Sequence, residues 1–362
     1  MPISPPQSRA AVADEALVRP DWTAGQPRHP ARLWLDKNEN ADPAMIELVG
    51  RVIGEIPDHA HHSYPDSAPL YRKLGAYLGV PPECLLLAAG SDGAIRAVFE
   101  AYVEPGDAVV HTKPTFAMYA VYCRMYGARA VALEYRPSGE GPVLDAETVI
   151  SAVREARPKL VCVANPDSPT GTVFPPDELR AIADAAGAAG ALMLVDEAYH
   201  PFYAETALPW IGEYPHLVVT RSTGKAWAMA GLRIGYAAAA ADVAAVLHKV
   251  RPMYETSTLA VAVFERMLDH TDEMVASVRR LDEGKQAFLG TMRGLGLRTL
   301  DGYGNFLHVA FGAKARAVHA ALDGIVYYRR DSADPCLKGF SRFSATTRER
   351  FQPVIERIRE AV

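Results

Sequence analysis

The stretch Thr220-Arg221-Ser222-Thr223-Gly224-Lys225-Ala226-Trp227 sets one lysine between two apolar runs, Leu217-Val218-Val219 before it and 232–241 after it. That placement predicts an irregular loop between two core elements, with the amine drawn out of water. Desolvation disfavours the ammonium, and the neutral amine can then attack a carbonyl to form a Schiff base. Gly224 and Ala226 leave room for a ring beside it, and Arg233, eight residues on, is placed to hold an anionic group of the same ligand. A lone lysine on a turn is usually an ordinary surface residue, so the weight rests on what the rest of the chain supplies.

Four other stretches supply it. Gly90-Ser91-Asp92-Gly93 follows an apolar run and opens a helical one, where free backbone N–H groups and the positive end of the helix dipole can seat a phosphate. A simple N-cap by Ser91 or Asp92 reads equally well there. Asn165-Pro166-Asp167-Ser168-Pro169-Thr170-Gly171 closes a strand with two prolines, so the chain must turn, and the Asn165 amide is expected to face the crevice at the strand ends. Both X-Pro bonds are candidates for the cis form. Asp196 follows four apolar residues and needs a cationic or N–H partner, which a pyridinium nitrogen would provide, while Tyr199 can reach the far side of the same ring. Alternatively, Asp196 caps a helix. Phe116, after Pro114-Thr115, can lie flat on a ring or pack into the core.

The elements that must position these residues alternate from 83 to 236 between short apolar runs and amphipathic segments, which predicts an α/β core with a mainly parallel seven-stranded sheet flanked by helices. Strands are expected at 84–88, 108–111, 129–133, 160–164, 191–195, 217–220 and 233–238, and helices at 93–102, 116–126, 146–156, 176–189 and 242–248. Helical spacing also covers 43–55 and 70–78. Beyond Pro252 a long helical stretch runs to 295, followed by strands at 306–311, 325–328 and 340–345, with helices at 314–322 and from 348. These read as a smaller α+β domain. The division expected is 1–45 as an arm and part of the small domain, 46–250 as the large domain and 251–362 as the small one. Residues 33–40 read as a docking loop.

At 362 residues the chain exceeds what one core absorbs, and with 49% apolar residues it can build two. A net charge of −5 and no long basic run argue against nucleic acid or anionic lipid as partners, and no apolar window is long enough to span a bilayer. The opening thirty residues, with Pro2, Pro5, Pro6, Pro20, Pro27 and Pro30, read as an arm without a secretory signal. Cys84, Cys123, Cys162 and Cys336 are scattered, which points away from disulfides and zinc and toward a cytoplasmic setting. His59, His61 and His62 lack a second ligand group at metal spacing, so no metal is expected.

Taken together, Gly90-Ser91-Asp92, Pro114-Thr115-Phe116, Asn165-Pro166 with Pro169-Thr170-Gly171, Asp196-Glu197-Ala198-Tyr199, Lys225 with Arg233, and Arg342 resemble, in order and spacing, the fold type I pyridoxal-phosphate aminotransferases of class I/II. The histidinol-phosphate aminotransferase branch is the nearest likeness, over about residues 33 to 360. The resemblance implies that 46–250 binds pyridoxal 5'-phosphate, that Lys225 holds it covalently, and that Asp196 keeps its ring nitrogen protonated. It also implies that Asn165 and Tyr199 bond the ring hydroxyl, that Phe116 stacks on the ring, and that Gly90, Ser91, Asp92, Ser222 and Arg233 form the phosphate cup. Tyr64 matches a tyrosine that reaches the cofactor phosphate of a partner subunit, which implies a homodimer with shared sites. Arg342 matches the arginine for the acidic end of the substrate.

Two positions depart from the branch. Gly224 stands where serine is common, leaving Ser222 or Thr223 to supply the hydroxyl, and Arg329-Arg330 replaces a lone arginine, of which Arg330 aligns better. The implied reaction is amino transfer between a small-molecule amino donor and a 2-oxo acid, with histidinol phosphate and 2-oxoglutarate as the leading pair. An aromatic aminotransferase, a decarboxylase or cyclase on the same cofactor, and a noncatalytic binding protein on the same fold are the alternatives.

Overall fold

The computed structural model describes residues 8–18 and 27–362. Pro2, Pro5, Pro6 and Pro20 of the expected arm lie outside the described residues.

Seven strands form the central sheet: β1 (Leu85–Ala88), β2 (Ala108–Lys113), β3 (Arg129–Glu134), β4 (Leu160–Ala164), β5 (Leu192–Asp196), β6 (Leu217–Ser222) and β7 (Gly235–Ala239). Their spatial order is β1-β7-β6-β5-β4-β2-β3. All pairs from β6 to β3 are parallel, whereas β7 runs antiparallel to both β1 and β6. The central strands are buried along their whole length because helices cover both faces, which is why they read as unbroken apolar runs. Ala237, Ala238 and Ala239 allow β7 to pack equally tightly.

Most elements lie within a few residues of the expected ranges, and three differences bear on the site or the packing. Cys84 ends a short 3-10 turn before β1, and the helix after β1 starts at Gly90, running to Tyr102. Arg233 precedes β7 in the left-handed region, at φ 53°, and so is not a strand residue. The long helical stretch divides into Thr258–Met267 and Thr271–Gly294, with a turn at Leu268 to His270 between them.

Packing separates two bodies. The large core holds the sheet with Met45 and Leu48 of the helix Pro43–Gly54 and with Val261, Phe264 and Met274. The small core joins Leu35 and Ala41 to Phe288, Met292, Phe343, Phe351 and Ile358. Its sheet is β8 (Arg298–Leu300), β9 (Phe306–Ala310) and β10 (Phe340–Ser344), antiparallel throughout. The helix Thr258–Met267 therefore belongs with the sheet, since its apolar face packs there. That moves the change of core from the expected residue 250 into the helix Thr271–Gly294, between Met274 and Phe288. The expected docking loop joins the small body, because Leu33 and Trp34 pair in parallel with Val326 and Tyr327.

Candidate active site

Parallel strands end together, so the residues at the carboxyl ends of β4, β5 and β6 are delivered to one crevice. Asp196 is the last residue of β5, with Ala164 and Thr220 beside it in register, and only 5% of it is exposed. Its Oδ1 accepts from Thr220 Oγ1 at 3.0 Å and from the Ala198 N–H at 3.1 Å, and Oδ2 accepts from the Tyr119 hydroxyl at 3.4 Å. Burial raises its pKa to about 6 although these donors oppose the shift. Such a carboxylate is suited to a cationic or N–H group seated against it.

The inner pocket it lines has a volume of about 180 Å³, and Gly90, Ser91, Asp92, Phe116, Tyr199, Ser222, Lys225 and Arg233 line the rest. Gly90 takes φ 80°, which starts the helix abruptly and leaves its first N–H groups facing the pocket. Arg233 spans the same corner, with Nη2 donating to the Ala89 carbonyl at 3.3 Å and Nη1 to the Ala230 carbonyl at 3.4 Å. A Cβ on Gly90 would meet Arg233 Nη2 at 3.0 Å, and one on Gly235 would lie 2.6 Å from Gly90 C and Ser91 N. This corner is a cradle built by the absence of side chains, lined by donors and suited to an anion.

Lys225 projects between the two ends. Its Nζ donates to the Lys37 carbonyl at 2.9 Å and lies 5.6 Å from the centre of the Tyr199 ring. The residue is half-buried rather than withdrawn from water, because one side of its loop opens to the cleft described below. Thr223 is committed to the Ile234 carbonyl at 2.6 Å, which leaves Ser222 as the hydroxyl facing the pocket. Gly224 is tight as well, since a Cβ there would meet Ala230 Cα at 3.2 Å. Tyr199 is buried, and its oxygen accepts from Asn38 Nδ2 at 2.8 Å. Asp92 lines the pocket, but its carboxylate accepts from the Tyr122 hydroxyl at 2.8 Å.

A wider cleft of about 600 Å³ shares Phe116, Ser168, Tyr199 and Lys225 with the inner pocket. Its far wall comes from the small body: Asp36, Lys37 and Asn38, then Arg329, Arg330 and Arg342. Arg342 is half-buried, with Nη2 donating to the Asp36 carbonyl at 3.2 Å and Nη1 to Ser168 Oγ at 3.4 Å. Burial lowers its pKa from the usual value. Arg329 Nε donates to the same Asp36 carbonyl at 3.1 Å, whereas Arg330 lies at the rim over the Tyr328 ring and reaches Asp323 at 3.5 Å. Of the two neighbours it is Arg329, not the expected Arg330, that shares an acceptor with Arg342.

Two expected residues are not brought to the pocket. Asn165 lines neither cavity: its Nδ2 donates to the Phe174 carbonyl at 3.1 Å and its Oδ1 accepts the Phe174 N–H at 2.8 Å, so the amide pins the turn. The Asn165–Pro166 and Ser168–Pro169 bonds are both cis, and it is Ser168 that lines both cavities. Tyr64 is 77% exposed and stacks on Tyr254, with ring centres 4.2 Å apart. Asn38, Tyr119, Ser168 and His308 are site residues that sequence reasoning missed. Only Ser168, flanking the second proline, carried a local signal. Among the described residues no group of histidines, cysteines and acids is arranged to hold a metal, and no helix is long and apolar enough to cross a membrane.

An anion cradle, a buried carboxylate and an amine between them fit a phosphorylated, ring-bearing carbonyl compound. The model of the aminotransferase class I and II family matches residues 22–358. A histidinol-phosphate aminotransferase of Roseiflexus castenholzii is 32% identical over 351 residues, covering 89% of this chain and 93% of its own. Among solved structures, the histidinol-phosphate aminotransferase of Sinorhizobium meliloti in complex with pyridoxal-5'-phosphate superposes with a TM-score of 0.78 at 25% identity, over 92% of each chain. N-Succinyldiaminopimelate aminotransferase of Mycobacterium tuberculosis shares the fold, with a TM-score of 0.75 at 24% identity over 91% of this chain and 93% of that one.

Proposed function

Because the chain belongs to the class I and II aminotransferases, we propose that it binds pyridoxal 5'-phosphate in the inner pocket and transfers the amino group of histidinol phosphate, or a close relative, to 2-oxoglutarate. The observation that carries this reading is the convergence of Lys225 and Asp196 on one pocket whose wall is shared with an arginine-lined cleft. Bound there, the cofactor supplies an aldehyde for the donor amine and a ring that takes up the electron pair left at Cα.

The protein supplies position and protons. The helix start at Gly90 to Asp92, with Ser222 and Arg233, holds the phosphate. Asp196 keeps a proton on the ring nitrogen, and Phe116 covers one face of the ring. The Tyr199 oxygen already accepts from Asn38, so its own proton is free for the ring oxygen. Lys225 Nζ is the base that removes the proton from the donor Cα and, as an ammonium, the acid that returns it one carbon away. Arg342 takes a carboxylate, and Arg329 and Arg330 at the cleft mouth take the second anionic end.

The enzyme works as a homodimer. In support, Tyr64 and Tyr254 form an exposed aromatic pair beside Glu255, whose Oε1 accepts from the Ala89 N–H at the cradle, so the face that carries Tyr64 borders the cradle; on this reading Tyr64 of a second copy reaches it. The four cysteines are free, which supports a reducing, cytoplasmic setting.

The test is a donor screen that follows loss of the bound cofactor's visible absorbance with histidinol phosphate, aromatic amino acids and glutamate side by side. Histidinol phosphate should react fastest, and Lys225→Ala should turn over nothing while keeping its melting temperature. Amine consumed without a keto product would move the reading to a decarboxylase or cyclase. A preparation that takes up no cofactor would leave a binding protein on this fold.

A further inference from the structure

His308 lines the outer cleft from β9 and is 1% exposed. Its ring is wedged edge-on between Phe306 and Phe340. Among the described residues neither of its ring nitrogens closes a hydrogen bond of normal geometry, although the ring faces the Pro169 carbonyl. A neutral imidazole carries a single ring proton, so one of its two nitrogens is always an acceptor. Burial, reinforced by the charge of Arg342, holds the pKa down to about 3, so the acceptor persists at any working pH.

Arg342 stands directly opposite, paired with His308 in the β9–β10 register, so the two side chains share a face. Its Nε is also buried and, among the described residues, without a hydrogen-bond partner. A buried donor and a buried acceptor, each unsatisfied, thus sit side by side. The outer nitrogens of the guanidinium are held only by long contacts, to Ser168 Oγ at 3.4 Å and the Asp36 carbonyl at 3.2 Å, which an anion could displace.

We propose that His308 is a positioning residue that accepts the Nε–H of Arg342 while the outer guanidinium nitrogens hold the acidic end of the substrate. The proposal rests on the reading of Arg342 as the anion-binding arginine. Once Nη1 and Nη2 turn from Ser168 and Asp36 to a carboxylate, Nε needs a fixed acceptor to keep the fork in plane, and the imidazole is the neutral one in place. A carboxylate there would instead neutralise the arginine and compete with the substrate.

The holoenzyme tests this through the KM for 2-oxoglutarate. His308→Leu should raise it about tenfold or more, the scale of a lost hydrogen bond to a charged group. The kcat should change less than twofold and the absorbance of the bound cofactor not at all. His308→Gln, which restores an acceptor, should recover most of the KM. If the leucine variant does not fold, His308→Phe, closer in size and shape, replaces it. In an Arg342→Ala background His308→Leu should add nothing. An unchanged KM in His308→Leu, or a raised KM that His308→Gln fails to recover, would overturn the proposal. An unchanged KM in Arg342→Ala would overturn the reading of Arg342 and this proposal with it, whereas a raised one beside an unaffected His308→Leu would sink the role of His308 alone.

Discussion

Asp196 shows how the site trades stability for chemistry at a single residue. Its folded pKa of about 6 lies above the value near 3.9 of an unfolded aspartate. The group therefore stabilises the cofactor-free fold in acid, and that contribution is lost as pH rises from about 4 to about 6. The difference of about two units corresponds to about 3 kcal/mol. Asp196→Asn should accordingly be more stable than the parent at pH 7.5, by up to about 3 kcal/mol, with the gap narrowing to about 1 kcal/mol at pH 4.5, while binding the cofactor poorly. Denaturant titrations of the cofactor-free proteins at the two pH values read this directly, and an equal gap at both would refute it. Asp196 was legible from the sequence because four apolar residues lead straight into an acid. The partners of Asn165 were not legible, because an amide's partners depend on how the following turn folds back, and here it delivers the Phe174 backbone to both amide atoms.

At the scale of elements, the anion cradle is made by the contact of a strand with a helix start, and Gly235 is the residue that permits it. A methyl group there would press on the Gly90 and Ser91 backbone at 2.6 Å, whereas one on Gly231 would meet nothing within 4 Å. Gly235→Ala should cost about 2 kcal/mol and the ability to retain cofactor, and Gly231→Ala should keep it. Melting curves with absorbance of the purified proteins decide it, and a Gly235→Ala enzyme that stays loaded would count against the cradle. The alternation of strands and helices was readable because buried parallel strands are apolar throughout. The reversed direction of β7 was also within reach: the link from Ser222 to Gly235 has no helix long enough for a crossover. Asn38 was not legible as a site residue, nor was it legible which of Arg329 and Arg330 shares an acceptor with Arg342, since both depend on packing between segments about 300 residues apart.

For the molecule as a whole, the proposal that Tyr64 of a second copy completes the site makes a quantitative prediction. Mixing inactive Lys225→Ala chains with weakened Tyr64→Phe chains creates dimers in which one site has both residues intact. A one-to-one mixture should recover about a quarter of the parent activity if subunits exchange freely. Activity no greater than the mean of the two variants would mean that Tyr64 serves its own chain or none. The packing passes from one core to the other between Met274 and Phe288 while the texture of the sequence changes after Pro252, because a helix with an apolar face reads the same whichever core it joins. The helix Thr271–Gly294 is shared by both cores and, at 24 residues, is about 36 Å long. A tilt of about 5° at its Met274 end would carry the far end through about 3 Å. Such a rotation would change the span between the amine of Lys225 and the guanidinium of Arg342 without disturbing either interior, so the stiffness of this one rod would set the reach of substrate.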